Sequence, residues 1–134
     1  MNAGTNVRRA WVARIALSCV ALGAASVMHG QPASQAELGR TVFVAHCQAC
    51  HGITGPADSP LGPDLKGIYG RRVADSKGGV HSRATLESTA VWDRESLRRF
   101  LSNAPQAAPG TFMATRIGDE HELDALLDFL ETLH

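Results

Sequence analysis

The stretch His46-Cys47-Gln48-Ala49-Cys50-His51-Gly52 (HCQACHG) decides how the rest of the 134-residue chain is interpreted. It contains two of the three cysteines, three positions apart, and a histidine directly follows the second cysteine. Thiols and imidazoles form covalent and metal bonds that most other side chains do not. Four chemical roles are therefore possible for this arrangement.

Three of the four candidate roles fit the pattern poorly. A disulfide between the two thiols would close a very small loop and would remove little entropy from the unfolded chain. A zinc site needs four nitrogen or sulfur ligands, and no second pair follows at zinc-finger spacing. A thioredoxin-type redox pair is expected between a strand and a helix, whereas the flanking sequence here predicts helix.

Covalent haem attachment uses every residue of the pattern. Cys47 and Cys50 would form thioethers with the haem vinyl groups, and His51 would bind the iron. We therefore favour one covalent c-type haem with its iron. The second iron ligand would come from one of the remaining histidines or from a methionine: His46, His81, His121, His134 or Met113, with Met28 and His29 included only if the chain is cut early.

Met113 is the favoured second ligand. It lies in the segment Ala108-Pro109-Gly110-Thr111-Phe112-Met113-Ala114, where proline restricts the backbone and glycine permits a tight turn. A thioether is a soft, neutral ligand that favours Fe(II), so it raises the reduction potential relative to a second histidine.

The first 25 residues have the layout of a secretory signal peptide. The positively charged stretch MNAGTNVRRAWVAR precedes the apolar run IALSCVALGAA, which ends in small residues. That run falls well short of the about 20 residues that cross a membrane. We expect cleavage after Ala25, with a site as late as Gly30 or an uncleaved membrane anchor as the alternatives, and export to the periplasm.

The remaining chain is mildly acidic. From Ser26 onward it carries ten Lys and Arg and thirteen Asp and Glu, a formal net charge of −3. It has no basic patch of the kind that binds nucleic acid, so nucleic acid is not an expected partner.

Periodicity and capping residues predict helices at both ends of the segment 34–134, which we expect to form one domain. Ser34 and Glu37 form a capping box before a helix of about Ala36 to Cys47. Asp119 precedes a second helix that would run to about Leu133. Its apolar stripe has the spacing i, i+3, i+4, i+7: Leu123, Leu126, Leu127 and Leu130.

Between the terminal helices the sequence is mostly loop. Asp93 can cap a third helix with Leu97, Phe100 and Leu101 on its apolar face, ending near Asn103-Ala104-Pro105, and a short helical turn is expected around Arg83 to Ser88. The stretch 52–79 is rich in glycine and proline and lacks strand alternation. Long loops normally argue against a compact domain, but a large apolar cofactor can serve as core.

The order and spacing of these features resemble the class I cytochrome c family, in its mitochondrial-like and bacterial periplasmic branch. The matching residues are Gly39, Phe43, Cys47-x-x-Cys50-His51, Gly62-Pro63-x-Leu65-x-Gly67, Gly70-Arg71, Trp92 and Pro109-Gly110-Thr111-x-Met113. The resemblance implies a small all-α cytochrome c fold in which the N- and C-terminal helices cross. At that crossing Gly39 and Phe43 would meet Leu126 and Phe129.

The resemblance also assigns roles within the site. His51 and Met113 would be the two axial ligands of the iron. The Pro63 carbonyl would accept a hydrogen bond from the His51 ring, which raises the basicity of the ring. Residues at positions that hold the haem propionates in this family are Arg71, Trp92 and Thr111, together with His81, which stands where many relatives have tyrosine.

Several residues depart from the family pattern. Phe100 replaces a frequent tyrosine whose hydroxyl points at the methionine sulfur, and Thr85 replaces a frequent asparagine. Phe112 precedes Met113, and Lys66 and Lys77 are the only lysines. Docking through a ring of lysines is therefore not expected. If there is a local positive patch, it would consist of Arg98, Arg99 and Arg116.

These features together predict a periplasmic electron carrier rather than an enzyme. The chain would be a monomer that transfers one electron at a time between respiratory or dehydrogenase partners, with transient contact to membrane respiratory complexes. One alternative is a dedicated cytochrome subunit of a periplasmic dehydrogenase complex. Another is a haem enzyme or sensor with a labile Met113 ligand.

Overall fold

Helices supply the regular structure of the chain. The computed structural model describes residues 34–59 and 61–134, and these contain five α-helices: α1 (Gln35–His46), α2 (Arg83–Leu86), α3 (Arg94–Ser102), α4 (Ala104–Ala107) and α5 (Glu120–Glu131). Two 3-10 turns, Pro56–Asp58 and Val73–Asp75, lie between α1 and α2. Strand-like pairing in the described ranges is limited to one antiparallel bridge between Arg72 and Val91. The predicted all-α fold is confirmed.

Helix α1 begins at the expected cap. The Ser34 hydroxyl accepts a hydrogen bond from the Glu37 backbone N–H at 3.2 Å, which satisfies one of the free donors of the first turn. The helix ends at His46, and Cys47 is its C-cap. It therefore places the first thiol directly at its C-terminus, as its sequence pattern predicted.

Helix α5 is the most deeply buried element. The Asp119 carboxylate accepts hydrogen bonds from two backbone N–H groups of the first turn, at 2.8 and 2.9 Å. Three leucines of the predicted stripe are completely buried: Leu123, Leu126 and Leu127. The helix ends at Glu131, two residues before the predicted end. The Thr132 and Leu133 N–H groups bond three residues back rather than four, so the last turn tightens and stops.

Helices α1 and α5 cross at Gly39. A Cβ atom on Gly39 would lie 1.8 Å from the Ala125 carbonyl oxygen and 2.7 Å from the Phe129 Cβ. One turn further on, the rings of Phe43 and Phe129 pack with their centroids 5.5 Å apart. The expected contacts of Gly39 and Phe43 with Phe129 are confirmed, while the atom closest to Gly39 belongs to Ala125 rather than Leu126.

Helix α3 has a complete capping box. The Asp93 carboxylate accepts from the Ser96 backbone N–H at 2.7 Å, and the Ser96 hydroxyl accepts from the Asp93 N–H at 2.8 Å. The Ser96 backbone bond lowers the pKa of the Asp93 carboxyl. Leu97 and Leu101 are buried in the core shared with α5. The predicted start and apolar face are confirmed.

Helix α4 was not predicted, because Pro105 was interpreted only as the end of the preceding helix. Pro105 instead lies in the first turn of a new short helix. A backbone N–H at this position would have no hydrogen-bond partner within the helix, so its absence in proline costs nothing. Helix α4 thereby carries the chain from α3 to the segment that contains Met113.

Ion pairs join α3 to α5 on the surface. Arg94 lies 2.7 Å from Asp128, and Arg98 lies 2.8 Å from Glu120 and also contacts Asp124. All of these side chains are more than a third exposed to solvent. Each pair therefore stabilises the fold by only about 0–1 kcal/mol. The buried leucines of the two helices contribute more.

The loop after the Cys-x-x-Cys-His motif folds back onto it through main-chain hydrogen bonds. The Gly62 N–H bonds the Cys50 carbonyl at 2.8 Å, and the Leu65 N–H bonds the Gly52 carbonyl at 2.9 Å. Gly79 packs on Gly62, where a Cβ would lie 2.1 Å from the Gly62 carbonyl oxygen, and its φ of +62° also favours glycine. The glycine-rich stretch is thus fixed against the motif.

The signal peptide predicted for residues 1–25, with its alternative cleavage point at Gly30, lies outside the described residues. Among the helices of the described chain, none combines the length and the apolar character needed to cross a membrane.

The crossing of α1 and α5 predicts the effect of a single methyl group. Gly39→Ala should gain about 1 kcal/mol of helix propensity but should lose more through overpacking, which typically costs about 1–3 kcal/mol. We expect the loss to lie near the upper end of that range, for a net destabilisation of up to about 2 kcal/mol, because the clash is with backbone and cannot be relieved by a rotamer change. Denaturant unfolding of the protein measures it.

Gly118→Ala is the matched control for this variant. A Cβ at Gly118 meets nothing within 4 Å and its φ is not in the left-handed region, so the free energy of unfolding should change by less than about 0.5 kcal/mol. Equal stabilities of the two variants would contradict close contact at Gly39.

Candidate functional site

The motif residues are held by a tight turn at the end of α1. The Cys50 and His51 backbone N–H groups both bond the Cys47 carbonyl, at 3.0 and 2.9 Å. Cys47 is buried and Cys50 is partly buried, and both are free thiols. The turn therefore directs two thiols and one imidazole toward the same side of the chain.

That side is a cavity of about 690 Å³ with a largely apolar lining. Its volume lies within the range of about 300–1,000 Å³ that is usual for ligand and cofactor pockets. The predicted site residues among those that line it are Cys47, Cys50, His51, Pro63, Trp92, Thr111 and Met113. The structure therefore brings together residues from four separate stretches of sequence.

The His51 ring is fixed by its neighbours on the following loop. Its Nδ1 lies 2.7 Å from the Pro63 carbonyl oxygen, and a carbonyl only accepts, so Nδ1 carries the proton and Nε2 has a free lone pair. The ring packs on Gly62, where a Cβ would lie 2.4 Å from the ring Cε1. Glycine at position 62 is thus required by the position of the ring.

Met113 also lines the cavity, and the loop that carries it is anchored at both ends. The Ala104 N–H bonds the Thr115 carbonyl at 3.4 Å, and the Ile117 N–H bonds the Leu101 carbonyl at 3.0 Å. Within the loop, the Thr111 hydroxyl accepts a hydrogen bond from the Met113 backbone N–H at 3.2 Å. Met113 is half-buried and packs against the core.

Arg71 and His81 are not among the residues that line the cavity. The Arg71 guanidinium donates to the Asp64 carbonyl at 2.6 Å and to the Lys66 carbonyl, and it lies 3.9 Å from the Asp64 carboxylate. The Nδ1 atom of His81 is buried without a hydrogen-bond partner, although both its sequence neighbours, Val80 and Ser82, line the cavity.

Trp92 forms one wall of the cavity. Its backbone pairs with the 70–71 turn, since its N–H bonds the Arg71 carbonyl at 2.9 Å and its carbonyl accepts from the Gly70 N–H at 2.8 Å. Its ring packs on Phe100 with the centroids 5.1 Å apart. Both rings line the cavity, so they form part of its apolar surface.

The thiols do not have the properties of a redox pair. Burial, and to a smaller extent the nearby Cys50 thiol, raises the pKa of the Cys47 thiol to about 11. Redox-active pairs need a lowered thiol pKa, because the thiolate is the reactive form. Helix α1 also precedes the pair, where that motif requires a strand. In the described part of the chain, no three His, Cys, Asp or Glu side chains are grouped to hold a metal ion.

A family model described as Cytochrome c matches residues 36–134. The chain belongs to the cytochrome c family. Proteins of this family carry electrons and bind one covalent c-type haem with its iron, and the cofactor predicted from the motif agrees with this membership.

Individual relatives agree with the family assignment. Cytochrome c of Euglena viridis is 38% identical over 79 residues, which cover 59% of this chain and 76% of that protein. Cytochrome c2 iso-2 of Magnetospirillum molischianum is 28% identical over 88 residues, 65% of this chain and 90% of that protein. The solved structure of cytochrome cH from Methylobacterium extorquens is 30% identical with a TM-score of 0.66, and the match covers 74% of this chain and 99% of that one.

The cavity of this cytochrome c fits a haem. Two adjacent thiols can form the thioethers, and the free Nε2 of His51 and the sulfur of Met113 supply nitrogen and sulfur ligands of the kind that c-type iron takes. The sequence neighbours of His81, Val80 and Ser82, line the cavity, and the Nδ1 atom of His81 is a buried ring nitrogen without a hydrogen-bond partner.

Several residues of the lining were not singled out by sequence, among them Ser82 and Leu61. Ser82 is buried, caps α2, and its hydroxyl lies 3.1 Å from the Thr85 hydroxyl. Its position three residues before Thr85 is the only sequence signal for this pair. Leu61 lines the cavity from the loop beside Gly62, and no motif marks it.

The contact between Gly62 and His51 predicts the effect of Gly62→Ala. The new methyl would displace the ring from the Pro63 carbonyl, and loss of such a bond weakens metal binding by about 10–100-fold. Acid competes with iron for the ring, so the midpoint pH for loss of the low-spin spectrum should rise by about 1 unit or more. A pH titration of the absorption spectrum measures this, and Gly118→Ala should leave the midpoint unchanged. An unchanged midpoint in Gly62→Ala would contradict the packing of the ring on Gly62.

Proposed function

We propose that this cytochrome c is an exported one-electron carrier whose haem is attached at Cys47 and Cys50 and ligated by His51 and Met113. The observation that supports it is that these four residues, from two distant stretches of sequence, line one cavity. A haem bound there supplies an iron centre that accepts and releases single electrons between Fe(III) and Fe(II).

Contacts within the protein hold both proposed ligands in place, and these contacts do not depend on whether the iron is oxidised or reduced. The Pro63 carbonyl fixes the His51 ring, and the hydrogen bonds at the two ends of the Met113 loop fix the thioether. Because neither side chain has to move when the charge at the iron changes, the rearrangement that accompanies electron transfer is small. This favours a carrier over an enzyme, which needs an open iron position.

The walls of the cavity keep water away from the iron. Leu97, Leu101 and Leu130 line it from the core, and Phe100 lines it beside Trp92. An apolar shell disfavours the more highly charged Fe(III) state, which raises the reduction potential. Position 100 presents no hydroxyl toward Met113, so the sulfur has no phenol donor from this residue and is a better electron donor to the iron.

We propose His81, Trp92 and Thr111 as the residues that hold the haem carboxylates. The Thr111 hydroxyl accepts one hydrogen bond from the Met113 N–H, and its own proton remains to be donated. Arg71 would favour the ionised carboxylates by its charge while tying together the loop of Asp64 and Lys66.

The partners proposed are a donor and an acceptor protein of a respiratory or dehydrogenase pathway in the periplasm. The layout of residues 1–25 supports export, and the compartment also supplies the haem-attachment chemistry that two free thiols need.

Replacing Met113 tests the ligand assignment. Met113→Ala should abolish the near-infrared thioether-to-iron band of the oxidised protein and lower the reduction potential, because a harder or weaker ligand no longer favours Fe(II). Absorption spectroscopy and voltammetry measure both. His121→Ala and His134→Ala, which alter other candidate ligands, should keep the band, and its survival in Met113→Ala would refute the proposed ligand.

Export can be tested by mass spectrometry of the protein made in a Gram-negative host that attaches haem. The periplasmic fraction should contain a chain that begins at Ser26, or at Gln31 if cleavage follows Gly30, plus the mass of one haem. A haem-bearing chain that begins at Met1 in the membrane fraction would support the uncleaved anchor instead.

A further inference from the structure

The cavity is bordered by an unusually neutral surface. Among the described residues that line it, none is Lys, Arg, Asp or Glu. Five of these lining residues are also exposed to solvent, and His46 is the only one of them that can carry a charge: His46, Leu61, Val80, Phe112 and Ala114. The site therefore opens to solvent through side chains that are mainly apolar.

The segment that carries Met113 extends this neutral surface. Residues 100–115 contain no charged residue and no histidine, although 19% of the chain is charged. Much of the segment is exposed, including Pro105, Ala107, Pro109 and Phe112. We call residues 104–114 the neutral rim.

Phe112 is the most exposed large apolar residue of the neutral rim, with 73% of its surface accessible. Aromatic side chains, phenylalanine included, are enriched at protein–protein interfaces relative to the rest of the surface. Its position beside Met113 places it next to the iron ligand proposed above.

The arginines near the neutral rim add little positive charge to the surface around the cavity. Of the predicted patch Arg98, Arg99 and Arg116, Arg98 is paired with Glu120 and Asp124 on α5. Arg99 and Arg116 flank the segment 100–115 in sequence and do not line the cavity. The expected patch of three arginines is thus reduced to two residues outside the lining.

We propose that the neutral rim is the docking surface for a redox protein whose own contact face is apolar and uncharged, with Phe112 as the central contact. A neutral surface complements a neutral one, because a charged partner face would lose its hydration here without gaining an opposite charge. The inference rests on the proposed electron-carrier function and specifies the class of partner.

Monolayer-coated gold electrodes provide a defined substitute for such a partner. The holoprotein is compared by voltammetry on three monolayers, which end in mixed methyl and hydroxyl groups, in carboxylates or in ammonium groups. The interfacial rate constant should be highest on the uncharged monolayer. It should change by less than about two-fold between about 0.01 M and 0.15 M salt, over which the Debye length falls from about 30 Å to about 8 Å.

Variants assign this behaviour to Phe112. On the uncharged monolayer Phe112→Ser should lower the rate constant about ten-fold, whereas Phe112→Leu should retain most of it. Leu86→Ser is the matched control, because Leu86 is 58% exposed but does not line the cavity. The near-infrared band is recorded for every variant, so that loss of the Met113 ligand is not mistaken for loss of docking.

The outcomes separate this inference from the proposed function. No reversible one-electron response on any monolayer would refute the electron carrier itself. A reversible response that is fastest on carboxylates and falls with salt, or that Phe112→Ser leaves unchanged, would refute only the neutral docking surface. A dimer in sedimentation velocity that Phe112→Ser dissociates would assign the rim to a second copy and would also overturn the proposal.

Discussion

The 2.7 Å hydrogen bond between His51 Nδ1 and the Pro63 carbonyl is the interaction on which the rest of the site depends. It joins the end of α1 to the glycine-rich loop, and it leaves only Nε2 of the ring free to bind iron. The loop can approach this closely because Gly62 lies under the ring and Gly79 lies against Gly62. A side chain at either position would separate the loop from the motif.

The cavity explains how a short helical chain can have so much loop. Leu97, Leu101 and Leu130 belong to the core and also line the cavity, so one apolar surface serves both. A haem held here would extend the core to the loops that follow α1, and those loops would then bury apolar groups against it. We therefore expect folding and cofactor binding to be coupled, as metal binding is coupled to folding in other small domains.

The sequence predicted the features that depend on local chemistry. The starts of α1, α3 and α5 were located by their caps, Ser34, Asp93 and Asp119. A side chain that satisfies the free N–H groups of the first turn must lie directly before the first helical residue. Helix α4 was missed since proline is compatible with both the end of one helix and the first turn of the next.

Long-range side-chain directions were harder to predict than the presence of Cys47, Cys50, His51 and Met113 in one cavity. The motif fixes Cys47, Cys50 and His51 through their spacing, and the rigid segment before Met113 fixes the thioether. Arg71 has a long, flexible side chain whose donors are taken by the Asp64 and Lys66 carbonyls, and the position of these carbonyls follows from loop geometry that spacing does not encode. His81 was singled out by the family pattern alone, and its unpartnered ring nitrogen became apparent only in three dimensions.

The pairing of His51 and Met113 on one iron can be tested most directly by proton NMR of the reduced holoprotein. A methionine methyl bound to low-spin Fe(II) lies over the haem ring, so the Met113 methyl should give a three-proton signal shifted far upfield by the ring current. A reduced protein without that upfield signal, or with the broad resonances of a high-spin iron, would contradict Met113 as the second ligand of a closed electron-transfer site.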